Sequence, residues 1–216
     1  MENMEFYTID SFATAEIIEK KSRFIANAYN VESKEEAEEK IKQIKKKYYD
    51  AKHNCFAFSI IEENNVILKS SDDAEPSGTA GEPILNVIKK NNLKNILIVV
   101  TRYFGGILLG TGGLTRAYSN AASSVIEKCN IIKEEKGLEA IIELDYSEND
   151  KFKYYCEKNN IRITNIEYNE NIKYNIELND EEYNKLTLKN KTNNVNLLFN
   201  VKKIEIICRK YVEKAI

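Results

Sequence analysis

The chain has 216 residues, 43% of them hydrophobic and 31% charged, and its 32 basic and 34 acidic side chains leave a formal net charge of −2. This is the composition of a folded globular protein with room for one large domain or two small ones, and it excludes a basic nucleic-acid module, because residues 1–134 carry 18 basic and 19 acidic side chains and the remainder is equally balanced. No apolar run approaches the ~20 residues of a membrane span and the N-terminus lacks a cationic segment followed by an apolar one, so a cytoplasmic protein without membrane contact is expected.

Phe6 to Val31 alternates loosely, which predicts strands with a turn near Asp10. Ser33 and Glu36 form a capping box, and Ala37, Ile41, Ile44 and Tyr48 recur at helical spacing. The intervening Lys and Glu residues, with Glu36–Lys40 and Glu38–Lys42 at i, i+4, read as a solvated face, and Lys45-Lys46-Lys47 belong to it rather than to a binding site. His53 to Ile61 and Val66 to Lys69 then read as two strands joined by a turn at Glu62-Glu63-Asn64-Asn65. His53 and Cys55 face the same way on such a strand. That pair fits an activated thiol, but no third orienting group can be picked out by spacing, and Cys55 reads first as a small buried hydrophobe.

Asp72-Asp73-Ala74-Glu75-Pro76-Ser77-Gly78-Thr79-Ala80-Gly81 places three carboxylates before a helix marked by Ala80, Ile84, Leu85, Val87 and Ile88. Two uses fit: oxygen ligands for Mg²⁺, or capping of that helix, and capping is the simpler. With one histidine in the chain and four cysteines (55, 129, 156 and 208) that show no paired spacing, no metal site or cofactor is expected.

The most specified stretch follows. Seven of the eight glycines lie between Gly78 and Gly113. The β-branched run Ile96 to Val100 predicts a buried strand, Leu114, Ala117, Tyr118, Ala121, Ala122, Val125 and Ile126 a helix, and Arg102 to Gly113 the loop between them. A glycine loop that opens a helix points free N–H groups, and the positive end of the helix dipole, at an anion. Residues 83–133 carry seven Lys or Arg against the single acid Glu127, which supports an anionic partner. Arg102, Gly105, Gly106, Gly110, Gly112, Gly113 and Arg116 are therefore the candidate anion or nucleic-acid contacts. The rival reading is that the glycines serve positive φ or backbone packing alone. Neither the P-loop nor the dinucleotide fingerprint fits, since no Lys follows Gly110 or Gly113 and Thr115 stands where the third glycine would be.

Glu134-Glu135-Lys136-Gly137 reads as a short linker between domains 1–134 and 138–216. Beyond it the order is strand (138–146), helix (147–159), strand (161–168), strand (172–178), helix (180–189), strand (195–208), a ferredoxin-like βαββαβ unit. The aromatic RNA-binding signature of one such module is absent.

Lys21-Ser22-Arg23-Phe24, His53-Asn54-Cys55, Asp72 to Gly81, Arg102-Tyr103-Phe104-Gly105-Gly106, Leu109-Gly110-Thr111-Gly112-Gly113-Leu114 and Arg116-Ala117-Tyr118 together resemble the Impact/YigZ-like family over most of residues 15–130. The resemblance implies an α+β protein: a ribosomal-protein-S5-domain-2-like fold in front, and behind it a ferredoxin-like domain similar to the last domain of translocating elongation factors. It adds His53, Asn54, Asp73, Glu75, Ser77 and Thr79 as further motif positions. This chain departs from the family at Ala74, where glycine is usual, and at Leu108, where a basic residue is usual. Eukaryotic relatives act in translational control, which implies a non-enzymatic regulator with RNA or the ribosome, and a protein in that pathway, as partners. An enzyme acting on a small phosphorylated or acyl substrate through the same loop, and a protein-interaction adaptor, are the alternatives. Oligomeric state is not readable from the chain.

Overall fold

The structure is a computed structural model that describes residues 5–62, 65–191 and 199–213. The chain divides into two compact units, residues 6–132 and residues 133–216 together with 1–5.

In the first unit β1 (Phe6–Ile9), β2 (Ala13–Glu19) and β3 (Ser22–Asn30) precede α1 (Lys34–Lys47). β4 (His53–Glu62), β5 (Asn65–Ser71), α2 (Gly81–Lys90), β6 (Ile96–Tyr103) and α3 (Thr111–Ile126) follow. One antiparallel sheet runs in the order β2-β3-β6-β4-β5. The side-chain period of two splits its core into two layers. Phe24, Ala26, Cys55, Ala57, Ile98 and Val100 pack with Ile84, Leu114, Tyr118 and Ala122 of α2 and α3, while Phe56, Phe58, Leu97 and Val99 pack with Ala37, Ile41 and Ile44 of α1. Helix α1 starts where the capping box places it. The Ser33 side chain accepts from the Glu36 N–H at 3.2 Å, but Glu36 reaches back to the N–H of Glu32 rather than of Ser33. Glu38 pairs with Lys69 of β5 at 3.2 Å, not along its own helix. The turn expected at Glu62–Asn65 falls partly on residues 63–64, outside the described residues.

In the second unit β7 (Ile131–Leu144) leads into α4 (Asn149–Lys158), β8 (Arg162–Tyr168), β9 (Ile172–Asn179), α5 (Asp180–Lys191) and β10 (Lys203–Glu213). Strand order β10-β7-β9-β8 is that of a ferredoxin-like βαββαβ unit. Leu138, Ala140, Ile142 and Leu144 alternate inward with Ile172, Tyr174, Ile176 and Leu178 against Phe152, Cys156 and Leu186 of the helices. The last strand begins later than its sequence pattern suggests, and residues 195–198 of that expectation lie outside the described residues.

The expected linker is not one. Glu134 to Gly137 lie within β7 and pair with Glu213 to Lys210 of β10. Polarity misleads here because Glu135, only 4% exposed, accepts a 2.9 Å bond from the Asn179 amide. Gly137 marks close packing, since a Cβ on it would lie 2.3 Å from the Leu178 carbonyl oxygen and 2.6 Å from a Val212 methyl. A fragment beginning at Lys133 is therefore expected to melt cooperatively, and one beginning at Leu138, which lacks four ladder partners of β10, to melt at a clearly lower temperature. Equal melting temperatures would show those four residues to be dispensable.

Candidate functional site

The polar residues gather at one end of the front sheet. The register of β4 on β6 sets His53 opposite Arg102, and β3 on β6 sets Phe24 opposite Arg102, so the three form a row across the sheet. Each lies two residues along from a core residue of the α2/α3 layer (Cys55, Val100 and Ala26), hence on that face. Sequence reading takes Arg102 for an outward phosphate contact; the structure turns it inward. Its side chain is 7% exposed and its Nη1 donates to Glu75 Oε1 at 2.6 Å. The same oxygen accepts from the Tyr118 hydroxyl at 2.9 Å. The guanidinium lies over the rings of Phe24 and Phe104, at 5.5 and 5.7 Å from their centroids, and Nη2 makes a long 3.5 Å contact with Ser22 Oγ. The physical reason is alternation: on a buried face an arginine needs a counter-charge, and Glu75 supplies it.

Glu75 is delivered by the turn between β5 and α2. Asp72 holds that turn by accepting from the N–H groups of Gly78, Ala80 and Gly81 at 2.8–2.9 Å, the last two at the start of α2. Burial opposes its charge, but the three donors outweigh burial and keep its carboxyl below the usual range. Capping is thus what the hydrogen bonds of Asp72 show. Asp73 accepts from the Asn54 N–H at 2.7 Å and pairs with Lys45 at 2.5 Å. Asp73 and Ala74 both have positive φ, 40° and 68°, a conformation that glycine adopts without strain.

His53 Nδ1 lies 3.0 Å from the Asp73 carbonyl oxygen. A carbonyl only accepts, so Nδ1 carries a proton, and in the neutral ring Nε2 carries the lone pair. Nε2 stands 4.0 Å from Glu75 Oε1. Cys55, the other half of the sequence-level pair, is fully buried, with Sγ 2.9 Å from the Asp72 carbonyl oxygen and 3.3 Å from the Tyr118 hydroxyl. Burial pushes its thiol up to about 12, so it is no nucleophile at neutral pH. The remaining motif positions disperse. Asn54 points to the α1 face and accepts from Thr101 Oγ1 at 2.8 Å, Thr79 donates to the Pro76 carbonyl at 2.6 Å, and Ser77 is exposed. Tyr118 and Ser22, which sequence reading left among core or motif residues, are both parts of the network.

Past Arg102 the loop surfaces. Phe104, Ile107 and Leu108 are 55%, 44% and 83% exposed, so the side chain of Leu108 points outward. Gly105 lies against the β2–β3 turn: its N–H donates to Ser22 Oγ at 3.2 Å, and a Cβ there would sit 2.0 Å from the Lys21 carbonyl carbon. Gly106 and Gly110 take positive φ, 83° and 73°. Gly113 packs on Leu109, whereas Gly112 meets only the Arg116 guanidinium, at 3.7 Å. The first helical bond of α3 runs from the Leu114 N–H to the Gly110 carbonyl, so the N–H groups of Thr111, Gly112 and Gly113 open the helix ahead of it. Arg116 is exposed on its first turns. The seven cations of residues 83–133 do not make one face. Arg102 is internal, Lys133 pairs with Glu5, and Lys128 follows the far end of α3, about 18 Å along the axis from Arg116. What flanks the loop instead is Lys20 and Lys21, exposed at the β2–β3 turn with φ of 45° and 64°. Their signal in the sequence was two adjacent lysines at a turn, the second of them opening the segment Lys21-Ser22-Arg23-Phe24. A cleft of about 470 Å³ opens between α2 and α3 but shares no residue with this constellation.

Residues 20–126 match the Impact N-terminal domain, a span that includes every member of the sheet-end network from Ser22 to Tyr118. Residues 142–189 match a second family, a domain of unknown function, DUF1949. The chain is 38% identical over 179 residues to the IMPACT family member YvyE of Bacillus subtilis, covering 83% of this chain and 82% of the relative. This chain belongs to the IMPACT family. A further IMPACT family member, YigZ of Escherichia coli, is 34% identical over 59% of this chain and 63% of its own length. The crystal structure of a hypothetical protein superposes with a TM-score of 0.62 at 24% identity, covering 94% of this chain and 96% of that one, a likeness of fold. Among the described residues no helix of this IMPACT family chain is long and apolar enough to cross a membrane.

Proposed function

We propose that this protein is a regulator associated with translation that binds the phosphate backbone of RNA, free or within the ribosome, through the loop between β6 and α3. The observation that carries the reading is the trio Lys20, Lys21 and Arg116: the two lysines are exposed at the turn on which Gly105 packs, Arg116 is exposed on the first turns of α3, and none is ion-paired among the described residues. Free N–H groups at the helix start fix a phosphate without reading a base, and the exposed ring of Phe104 offers a stacking surface to an unpaired one. The link to translation rests on the role of eukaryotic relatives. Arg102 supports the loop from beneath and takes no phosphate in this reading.

Replacing Lys20, Lys21 and Arg116 together by Gln is expected to weaken binding of single-stranded RNA oligonucleotides regardless of sequence. It should flatten the slope of log K against log salt by about two units, roughly 0.7 for each phosphate contact removed. The melting temperature should hold, because all three side chains are exposed. A parent protein that binds no RNA at low salt, or a triple variant with the parent's slope, overturns the proposal.

A further inference from the structure

We propose that His53, with Glu75 behind it, is the general base of a hydrolytic site for uncharged carboxylic esters, an activity that goes beyond the binding reading and departs from the expectation of a non-enzymatic chain. The inference stands on an arrangement the binding reading leaves unused. The sequence offers no orienting group for a histidine, but the structure supplies one in the Asp73 carbonyl, which receives Nδ1–H at 3.0 Å and fixes the tautomer. Nε2 is thereby left as an acceptor, and it faces a second acceptor, Glu75 Oε1, across 4.0 Å. That oxygen already accepts from Arg102 Nη1 and from the Tyr118 hydroxyl, so it takes no third donor and acts on the ring through its charge. A water that donates a hydrogen to Nε2 projects its lone pairs outward, as a nucleophile must. The imidazole side chain keeps 20% of its surface exposed while Glu75 keeps 3%, so access is from the His53 side.

The chemistry closes without a further reactant. The water oxygen adds to the ester carbonyl carbon as its proton passes to Nε2. The imidazolium formed lies beside the Glu75 carboxylate. When the tetrahedral intermediate collapses, the carbon–oxygen bond to the alcohol breaks and the proton on Nε2 passes to the departing alkoxide, leaving acid, alcohol and neutral imidazole. Charge selects the substrate class. Arg102 is spent on Glu75 and Lys45 on Asp73, and the N–H groups of Gly78, Ala80 and Gly81 are spent on Asp72. Three carboxylates in the turn, Asp72, Asp73 and Glu75, repel a phosphate and favour an uncharged substrate. Cys55 takes no part, being buried with its sulfur against the Asp72 carbonyl.

The test is steady-state hydrolysis of p-nitrophenyl acetate by the full chain carrying Cys208→Ser, which removes the exposed thiol. Turnover above buffer is expected, and His53→Gln should lower it by about a hundredfold or more at an unchanged melting temperature. Because His53 is the sole histidine, diethyl pyrocarbonate provides a check that does not depend on the variant folding. Carbethoxylation read at 240 nm should abolish turnover, and hydroxylamine should restore it. No turnover above buffer, turnover unchanged in His53→Gln, or turnover surviving full carbethoxylation each overturns the proposal. None of these results bears on RNA binding, which involves other side chains.

Discussion

Glu75→Gln is expected to lower the unfolding free energy by about 3–5 kcal/mol, measured by urea denaturation, although the substitution exchanges one atom and keeps the side-chain shape. Glu75 Oε1 receives both the Arg102 guanidinium and the Tyr118 hydroxyl, and the carboxylate is the charge that permits Arg102 to lie 6% exposed between two aromatic rings. An amide at that position still accepts hydrogen bonds but leaves the buried cation uncompensated. Exposed pairs of this protein such as Arg23–Glu16 provide the contrast, because breaking a surface pair changes stability by about 1 kcal/mol at most. A double replacement, Glu75→Leu with Arg102→Met, should recover much of the loss, since apolar residues of similar volume carry no desolvation cost. If Glu75→Gln shifts stability no more than a surface pair does, Arg102 has another counter-charge and the network is wrongly described.

Gly105→Ala should be comparably severe, and Gly112→Ala mildly favourable, although both glycines belong to the same motif. A methyl on Gly105 meets the backbone of Lys21 and Ser22 at 2.0–2.4 Å, atoms that cannot rotate away. Either the loop lifts from the β2–β3 turn, breaking the Gly105 to Ser22 bond, or the sheet end opens. A loss of about 3 kcal/mol or more is expected. A methyl on Gly112 meets only the Arg116 guanidinium at 3.7 Å, so Ala there should gain about 0.5–1 kcal/mol from reduced freedom of the unfolded chain. Equal effects on thermal stability at the two positions would contradict the geometry.

The fold was legible because periodicity reports which side of an element is buried, and the two core layers of the first unit and the single core of the second follow the period-two and helical patterns directly. The linker was misread because polarity alone does not separate a loop from a strand whose charged side chains find partners across the sheet, as Glu135 does with Asn179. The site was legible in its membership and not in its directions. Arg102, Glu75 and His53 could each be named from the motif, but only the register of β4, β6 and β3 shows that Arg102 faces Phe24 and Glu75 rather than solvent. Lys20 and Lys21 flank the loop through a contact between segments more than 80 residues apart, which no local pattern encodes. The structural reading of the glycines holds at four positions, Gly105 and Gly113 for packing and Gly106 and Gly110 for positive φ, while at Gly112 neither requirement is present.

The pairing of His53 with Arg102 makes the site a matter of counting. Successive residues of β4 alternate between the two faces of the sheet, so a slip of one position would present Asn54 where His53 stands and drive Cys55 and Ala57 out of one core layer into the other. The fold has a stop against such an error at the opposite end of the strand, where the Ile61 N–H donates at 2.9 Å to the side chain of Asn95, a buried residue on the segment leading into β6. Asn95 thus acts as an index mark some eight residues from the histidine it aligns. A change there would scramble the identity of the residues on display while leaving the amount of sheet almost untouched, a failure invisible to a secondary-structure spectrum and plain in the chemistry of the single imidazole.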